Sequence, residues 1–112
     1  MAEATNEQTL MVTGMYGGTL HEQNGVPLRL AVPWKYGSKS IQSIVRIEFT
    51  EEQPATFWNT PVLCEYGFEA IVYPEVLYLR RSQRTEWILG TAEKYATLPY
   101  SGYGECVADL YG

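Results

Sequence analysis

The sequence predicts a β-rich domain with one short helix. Three observations carry this. Ten Gly and six Pro interrupt the chain often. Two stretches, Pro27 to Trp34 and Ile41 to Phe49, alternate apolar and polar residues with the period of a half-buried strand. No long run carries the 3.6-residue period of an amphipathic helix.

Taken in order, Thr9 to Gly17 is an apolar run of β type, ended by Gly17 and Gly18. His21 to Gly25 is a turn, because Asn-Gly readily supplies positive φ. In Pro27 to Trp34, Leu28, Leu30 and Val32 face one side while Arg29 and Ala31 face the other. Pro33 then ends the pairing or marks an edge. Lys35 to Ser40 is a loop. In Ile41 to Phe49, Val45, Ile47 and Phe49 share one face, and Ile44, Arg46 and Glu48 share the other. The stretch after Thr50 is irregular, with Pro54 and Pro61. Phe68 to Pro74 is strand-like. Ser82 to Tyr95 is the one plausible helix, with Ser82 as its cap and Gly90 inside it. Glu105 to Tyr111 reads as a terminal strand.

Composition bounds the function. At 112 residues the chain is expected to form a single domain, residues 1–112. A chain of this size buries roughly two-thirds of its unfolded surface. An apolar fraction of 46% against 19% charged residues places it among globular proteins. The net charge of −5 argues against a nucleic-acid partner held through phosphates. No apolar run approaches the roughly 20 residues of a membrane span. The first ten residues lack the pattern of a signal peptide, so an export signal would lie upstream.

Metal and nucleophile chemistry find little support. Cys64 and Cys106 form no Cys-x-x-Cys, and the expectation for both is a buried free thiol. His21 is the single histidine. No zinc-type spacing exists, and His21, in a polar turn, has no evident nucleophilic partner.

The segment Asn24 to Thr50 is different. It holds Arg29, Lys35, Lys39 and Arg46, four of the eight Lys and Arg residues of an acidic chain. Arginine offers a planar fork for phosphate oxygens. Backbone N–H groups around Gly37 to Ser40 suit an anion nest. Asn24 carries a donor and an acceptor for a heterocycle edge. The alternative is ordinary surface, with solvated lysines and an Arg29–Glu48 pair across the strands. Residue types alone leave both open.

The stretch NGVPLRLAVPWKYGSKSIQSIVRIEFTEEQPATFWN resembles the sulfite oxidase family of molybdopterin enzymes. VPWKYG points to its methionine-sulfoxide reductase branch. The segments EYGFEAIVYPEV, RSQRTE and LPYSGYGECVADLY resemble later segments of that branch, in the same order, so the likeness spans nearly the whole chain.

The resemblance implies an α+β, β-rich fold, a partial sulfite-oxidase-type molybdopterin-binding fold. It implies a molybdopterin cofactor carrying one molybdenum, ligated by the pterin dithiolene and one protein cysteine. The implied reaction is oxygen atom transfer, with oxidised methionine in proteins as substrate and a membrane haem-binding subunit as electron donor. The implied compartment is the periplasm. Sulfite-oxidising relatives run the transfer on sulfite instead.

By the same resemblance, Asn24 and Arg29 contact molybdopterin, Arg29 at its terminal phosphate. Ser40, Ile41 and Gln42 form the contact next to the KYG loop. Gln42 stands where the family usually has Lys, which removes a charge-assisted bond. Ile71, Tyr73, Arg81 and Cys64 also depart from the usual pattern. The cysteine that ligates molybdenum belongs to an N-terminal half not contained in these residues. Neither cysteine here matches it, so no catalytic or metal-ligating residue is assigned. The chain is thus expected to be a fragment, inactive without the missing half. The alternative is a non-catalytic β-rich binding module or remnant.

Overall fold

A computed structural model of the chain describes residues 1–57, 67–76 and 82–112. Among the described residues, three small antiparallel sheets of two strands each are joined by turns and short helices, an α+β arrangement consistent with a partial molybdopterin-binding fold. β1 (Leu10–Val12) pairs with β4 (Arg29–Ala31), in the register Leu10–Ala31, Met11–Leu30, Val12–Arg29. Between them, β2 (Gly14–Met15) and β3 (Gly18–Thr19) form a tight hairpin. Its narrowness needs glycine: a Cβ on Gly14 would stand 2.5 Å from the Gly18 carbonyl oxygen.

The expected turn at His21 to Gly25 is a 3₁₀ turn, Glu22–Asn24, closed by Gly25 at φ 98°. The expected alternation shows only beyond β4: Val32 is buried and Leu30 packs beside it, while Arg29, Leu30 and Ala31 are all half-buried, and pairing ends at Ala31, two residues before Pro33. A second 3₁₀ turn, Gly37–Lys39, fills the predicted loop.

The core gathers on Trp34, which is fully buried, with Val32 and Val107. Leu30, Tyr100, Tyr103, Leu110 and Tyr111 pack around it. The C-terminal part of this core corrects the expected strand at Glu105 to Tyr111. That stretch is helical: α1 (Gly104–Val107) runs into a 3₁₀ turn at Ala108–Tyr111. The reason is visible in the spacing. Tyr103, Val107, Leu110 and Tyr111 recur at helical intervals, and together they meet Trp34. Cys106, expected to be buried, is exposed, because its neighbour Val107 takes the inward position. Cys64 and Arg81 lie outside the described residues.

The helix expected over Ser82 to Tyr95 is instead a hairpin. β5 (Thr85–Trp87) pairs with β6 (Lys94–Ala96), Trp87 opposite Lys94. Gly90 sits at φ 86° in a turn closed by the Thr91 amide donating to the Ile88 carbonyl. A right-handed helix cannot pass through that residue, and the stretch before it is shorter than the ~12 residues a helix needs without tertiary support. Thr85, Trp87 and Tyr95 favour strand pairing. The Lys94 ammonium lies 4.8 Å from the Trp87 ring centre. Ser82 Oγ still accepts a backbone N–H, that of Arg84, but in a local turn.

The strand expected over Ile41 to Phe49 is only begun. The Leu30 amide donates to the Ile41 carbonyl, and the Ile44 amide to the Leu28 carbonyl, both at 2.8 Å. Ser43, at φ 52°, kinks the chain between these bonds. Among the described residues, nothing pairs with the backbone of residues 45–49. Alternation alone does not make a strand where no neighbour completes the ladder. Phe68 to Pro74 likewise carries, among the described residues, a single bridge, Ile71 to Lys35, with Ile71 and Val72 buried. No helix among the described residues is long and apolar enough to cross a membrane.

Candidate functional site

The two stretches singled out in the sequence, Asn24 to Arg29 and Ser40 to Gln42, are neighbours in space. Gly25 joins them. It is buried against Gln42, and a Cβ there would meet Gln42 Cβ at 2.8 Å. The Gly25 carbonyl accepts the Ser43 amide at 3.2 Å. Ser40 Oγ accepts the Val32 amide at 3.1 Å, fixing the far end of the second stretch to the strand carrying Arg29.

Arg29 leaves β4 half-buried, and its Nη1 donates to the Asn24 carbonyl at 3.2 Å. This bond aims the guanidinium along the 3₁₀ turn. It also decides an alternative posed by the sequence, since Glu48 pairs with Arg46 rather than with Arg29. Asn24 is half-buried at the end of that turn, its amide on the His21 carbonyl. His21 itself is exposed.

On the opposite side, the amides of Lys39 and Ser40 are taken by the carbonyls of Tyr36 and Gly37. The expected anion nest therefore does not form from those two. Among the described residues, no hydrogen bond takes up the amides of Ile41 and Gln42, which are both exposed. A cleft of about 270 Å³ adjoins them, lined by Ser38, Lys39, Ile41, Thr56, Phe57, Gly67 and Phe68. The Lys39 ammonium lies 3.7 Å from the Phe68 ring centre. Burial, and then the positive charge of Lys35, hold the Lys39 pKa below its ordinary value, with Glu3 opposing.

The two lysines are not the solvated pair that charge patterning suggests. Lys35 is buried, and its ammonium meets Glu3 at 2.6 Å. The same carboxylate oxygen accepts the Tyr111 hydroxyl at 2.6 Å, and that hydroxyl accepts Trp34 Nε1–H at 2.8 Å. Lys35 is thus part of the framework behind the loop. No local pattern announces this, because its partners stand 32 and 76 positions away. The aromatic framework continues outward. Tyr111 stacks on Tyr100, and the Tyr100 and Tyr73 hydroxyls meet at 3.0 Å.

Among the described residues, no three His, Cys, Asp or Glu side chains cluster as a metal would need.

The sequence profile of the oxidoreductase molybdopterin binding domain matches residues 1–58, which include Asn24, Arg29, Ser40, Ile41 and Gln42. The chain belongs to that domain family. Relatives agree with the chain along almost its whole length. The protein-methionine-sulfoxide reductase catalytic subunit MsrP of Gluconobacter oxydans is 52% identical over 97% of the chain. The subunit of the same name from Xanthomonas campestris is also 52% identical over 97%, and that from Campylobacter jejuni is 51% identical over 99%. The chain spans about a third of their length, 36%, 36% and 37% respectively. The chain is thus similar to one portion of those reductase subunits.

Proposed function

We propose that residues 1–112 are the C-terminal part of a molybdopterin-binding domain in an oxygen-atom-transfer oxidoreductase, and that the whole enzyme reduces methionine sulfoxide in proteins. The observation that carries this reading is the close seating of Gln42 on Gly25. It supports reading Asn24 and Arg29 on one side and Ser40, Ile41 and Gln42 on the other as one two-walled cradle.

The donor set suits a phosphate-bearing cofactor. Arg29 supplies a fixed positive fork, steadied by the Asn24 carbonyl. The Ile41 and Gln42 amides supply neutral donors opposite it. Ser40 holds that wall to β4 through the Val32 amide. Asn24 offers a side-chain amide for the polar edge of the pterin. Gln42 contributes no charge, so this wall is weaker in cation content than the resemblance leads one to expect. The chemistry supplied by molybdenum-molybdopterin, when bound, is oxygen atom transfer. This chain's residues bind and orient the cofactor, and none of them is assigned a catalytic or metal-ligating role. The family's cysteine ligand, a membrane haem-binding electron donor and a periplasmic location belong to the same proposal.

The test is reconstitution. The chain, co-produced with the part of the Gluconobacter relative outside the matched stretch, is expected to retain molybdenum and to reduce methionine sulfoxide in an oxidised protein. The chain alone is expected to do neither. Stoichiometric molybdenum and turnover in the chain alone would overturn the reading of it as one part of a larger site. Turnover of sulfite but not of methionine sulfoxide in the reconstituted enzyme would move it to the sulfite-oxidising branch.

A further inference from the structure

Residues 45–49 alternate polar and apolar positions, the polar ones paired with each other and the apolar ones bare. On the polar face, Arg46 and Glu48 side chains form an ion pair with each other. On the apolar face, Val45, Ile47 and Phe49 are 90%, 61% and 81% exposed. Ile41 and Ile44, just before them, already hydrogen-bond to Leu30 of β4 and to Leu28. The backbone of 45–49, by contrast, has no partner among the described residues. An exposed apolar stripe of this kind is seldom left uncovered, and an alternating segment that carries one is suited to strand addition.

We propose that residues 45–49 are the docking strand for the remainder of the enzyme, which completes the ladder and covers Val45, Ile47 and Phe49. Two facts favour this occupant over a second copy or an unrelated partner. The relatives are nearly three times as long as the stretch they share with this chain, so most of their mass is available to cover it. The family profile matches residues 1–58, so this stripe lies inside the shared domain rather than on an appended segment. The proposal rests on the proposed function, in which the chain works with the rest of a molybdopterin enzyme. It adds where the two parts meet.

The experiment uses the chain co-produced with the remainder of the Gluconobacter relative. Hydrogen exchange is read on peptides covering 45–49, with the Val107 helix as an internal reference. On complex formation the 45–49 amides are expected to exchange at least about tenfold more slowly, while the reference changes little. Ile47→Asp and Phe49→Asp, each at a position exposed in the chain alone, are expected to weaken association by at least about tenfold. A complex in which 45–49 exchange as in the free chain overturns the proposal, as does failure of the pair to co-purify. So does protection of 45–49 in the chain alone at high concentration, which assigns the strand to a second copy. Protection on complex formation without methionine-sulfoxide turnover upholds the docking strand while removing the catalytic reading. Turnover without protection does the reverse.

Discussion

The Tyr111 hydroxyl donates to the Glu3 carboxylate across 2.6 Å, joining residues 108 positions apart. The same hydroxyl accepts the indole N–H of Trp34, the most buried side chain of the core. Glu3 in turn holds the ammonium of Lys35. Four residues thereby tie the first few positions of the chain to the last few, behind the loop that carries Lys39 and Ser40.

Tyr111→Phe keeps the ring and removes the link. It leaves the Trp34 N–H without its acceptor and Glu3 without one donor. A loss of about 1–3 kcal/mol in unfolding free energy is expected, read from urea denaturation. A Phe variant as stable as the parent would show that the link contributes nothing net.

The network also sets a pH dependence. Burial alone would raise the Glu3 pKa, but the hydrogen bond from Lys35, that from Tyr111 and the charges of Lys35 and Lys39 outweigh it and lower it. A lowered carboxylate pKa gives stability that is present above its unfolded value and lost as pH falls through the folded one. Tyr111 works in the opposite range. Burial, then Glu3, raises its pKa, so its contribution is full below about pH 10 and is lost as pH rises further. Glu3→Gln is expected to reduce the fall in thermal midpoint between neutral and acid pH. Equal falls in variant and parent would exclude Glu3 as a source.

Gly25→Ala tests the seating of the two walls. The position has φ 98°, where an L residue is strained, and the new methyl would stand 2.8 Å from Gln42 Cβ. A cost of about 1 kcal/mol or more is expected from the backbone alone. In the reconstituted enzyme molybdenum content should fall as well. Full molybdenum content in a folded Ala variant would show that the walls need not touch.

Arg29→Ala removes the one fixed cation of the cradle. The expected cost to cofactor binding is about 1.5–3 kcal/mol, seen as reduced molybdenum content in the reconstituted enzyme. Gln42→Lys restores a cation to the opposite wall and is expected to raise retention of the cofactor during dialysis, more so at low salt. Unchanged content in the first variant and unchanged retention in the second would remove the phosphate role from both positions.

The site is legible in the sequence where its signal is local. Asn24-Gly25 announces a turn, and the alternation of Leu28, Leu30 and Val32 places Arg29 on the opposite face. The order of motifs then places Ser40 to Gln42 beside them. The burial of Lys35 is not legible, because its partners, Glu3 and the Tyr111 ring, are distant in sequence. Nor is the hairpin of Thr85–Trp87 and Lys94–Ala96, where strand pairing outweighs a weak helical pattern broken at Gly90.

Residue preferences and motif order were enough to establish the β-rich character, the turn at Gly25 and the family, and to single out the residues proposed for the cradle. These follow from backbone preferences of single residues and from ordered motifs, which need no partner to act. The packed chain was needed to establish that Glu105 to Tyr111 is helical, that Lys35 is buried against Glu3, and that the backbone of residues 45–49 has no partner among the described residues. Each of those depends on what lies across a gap in space. Burial, ion pairing and ladder formation are energies between segments, and one segment's residues do not contain them.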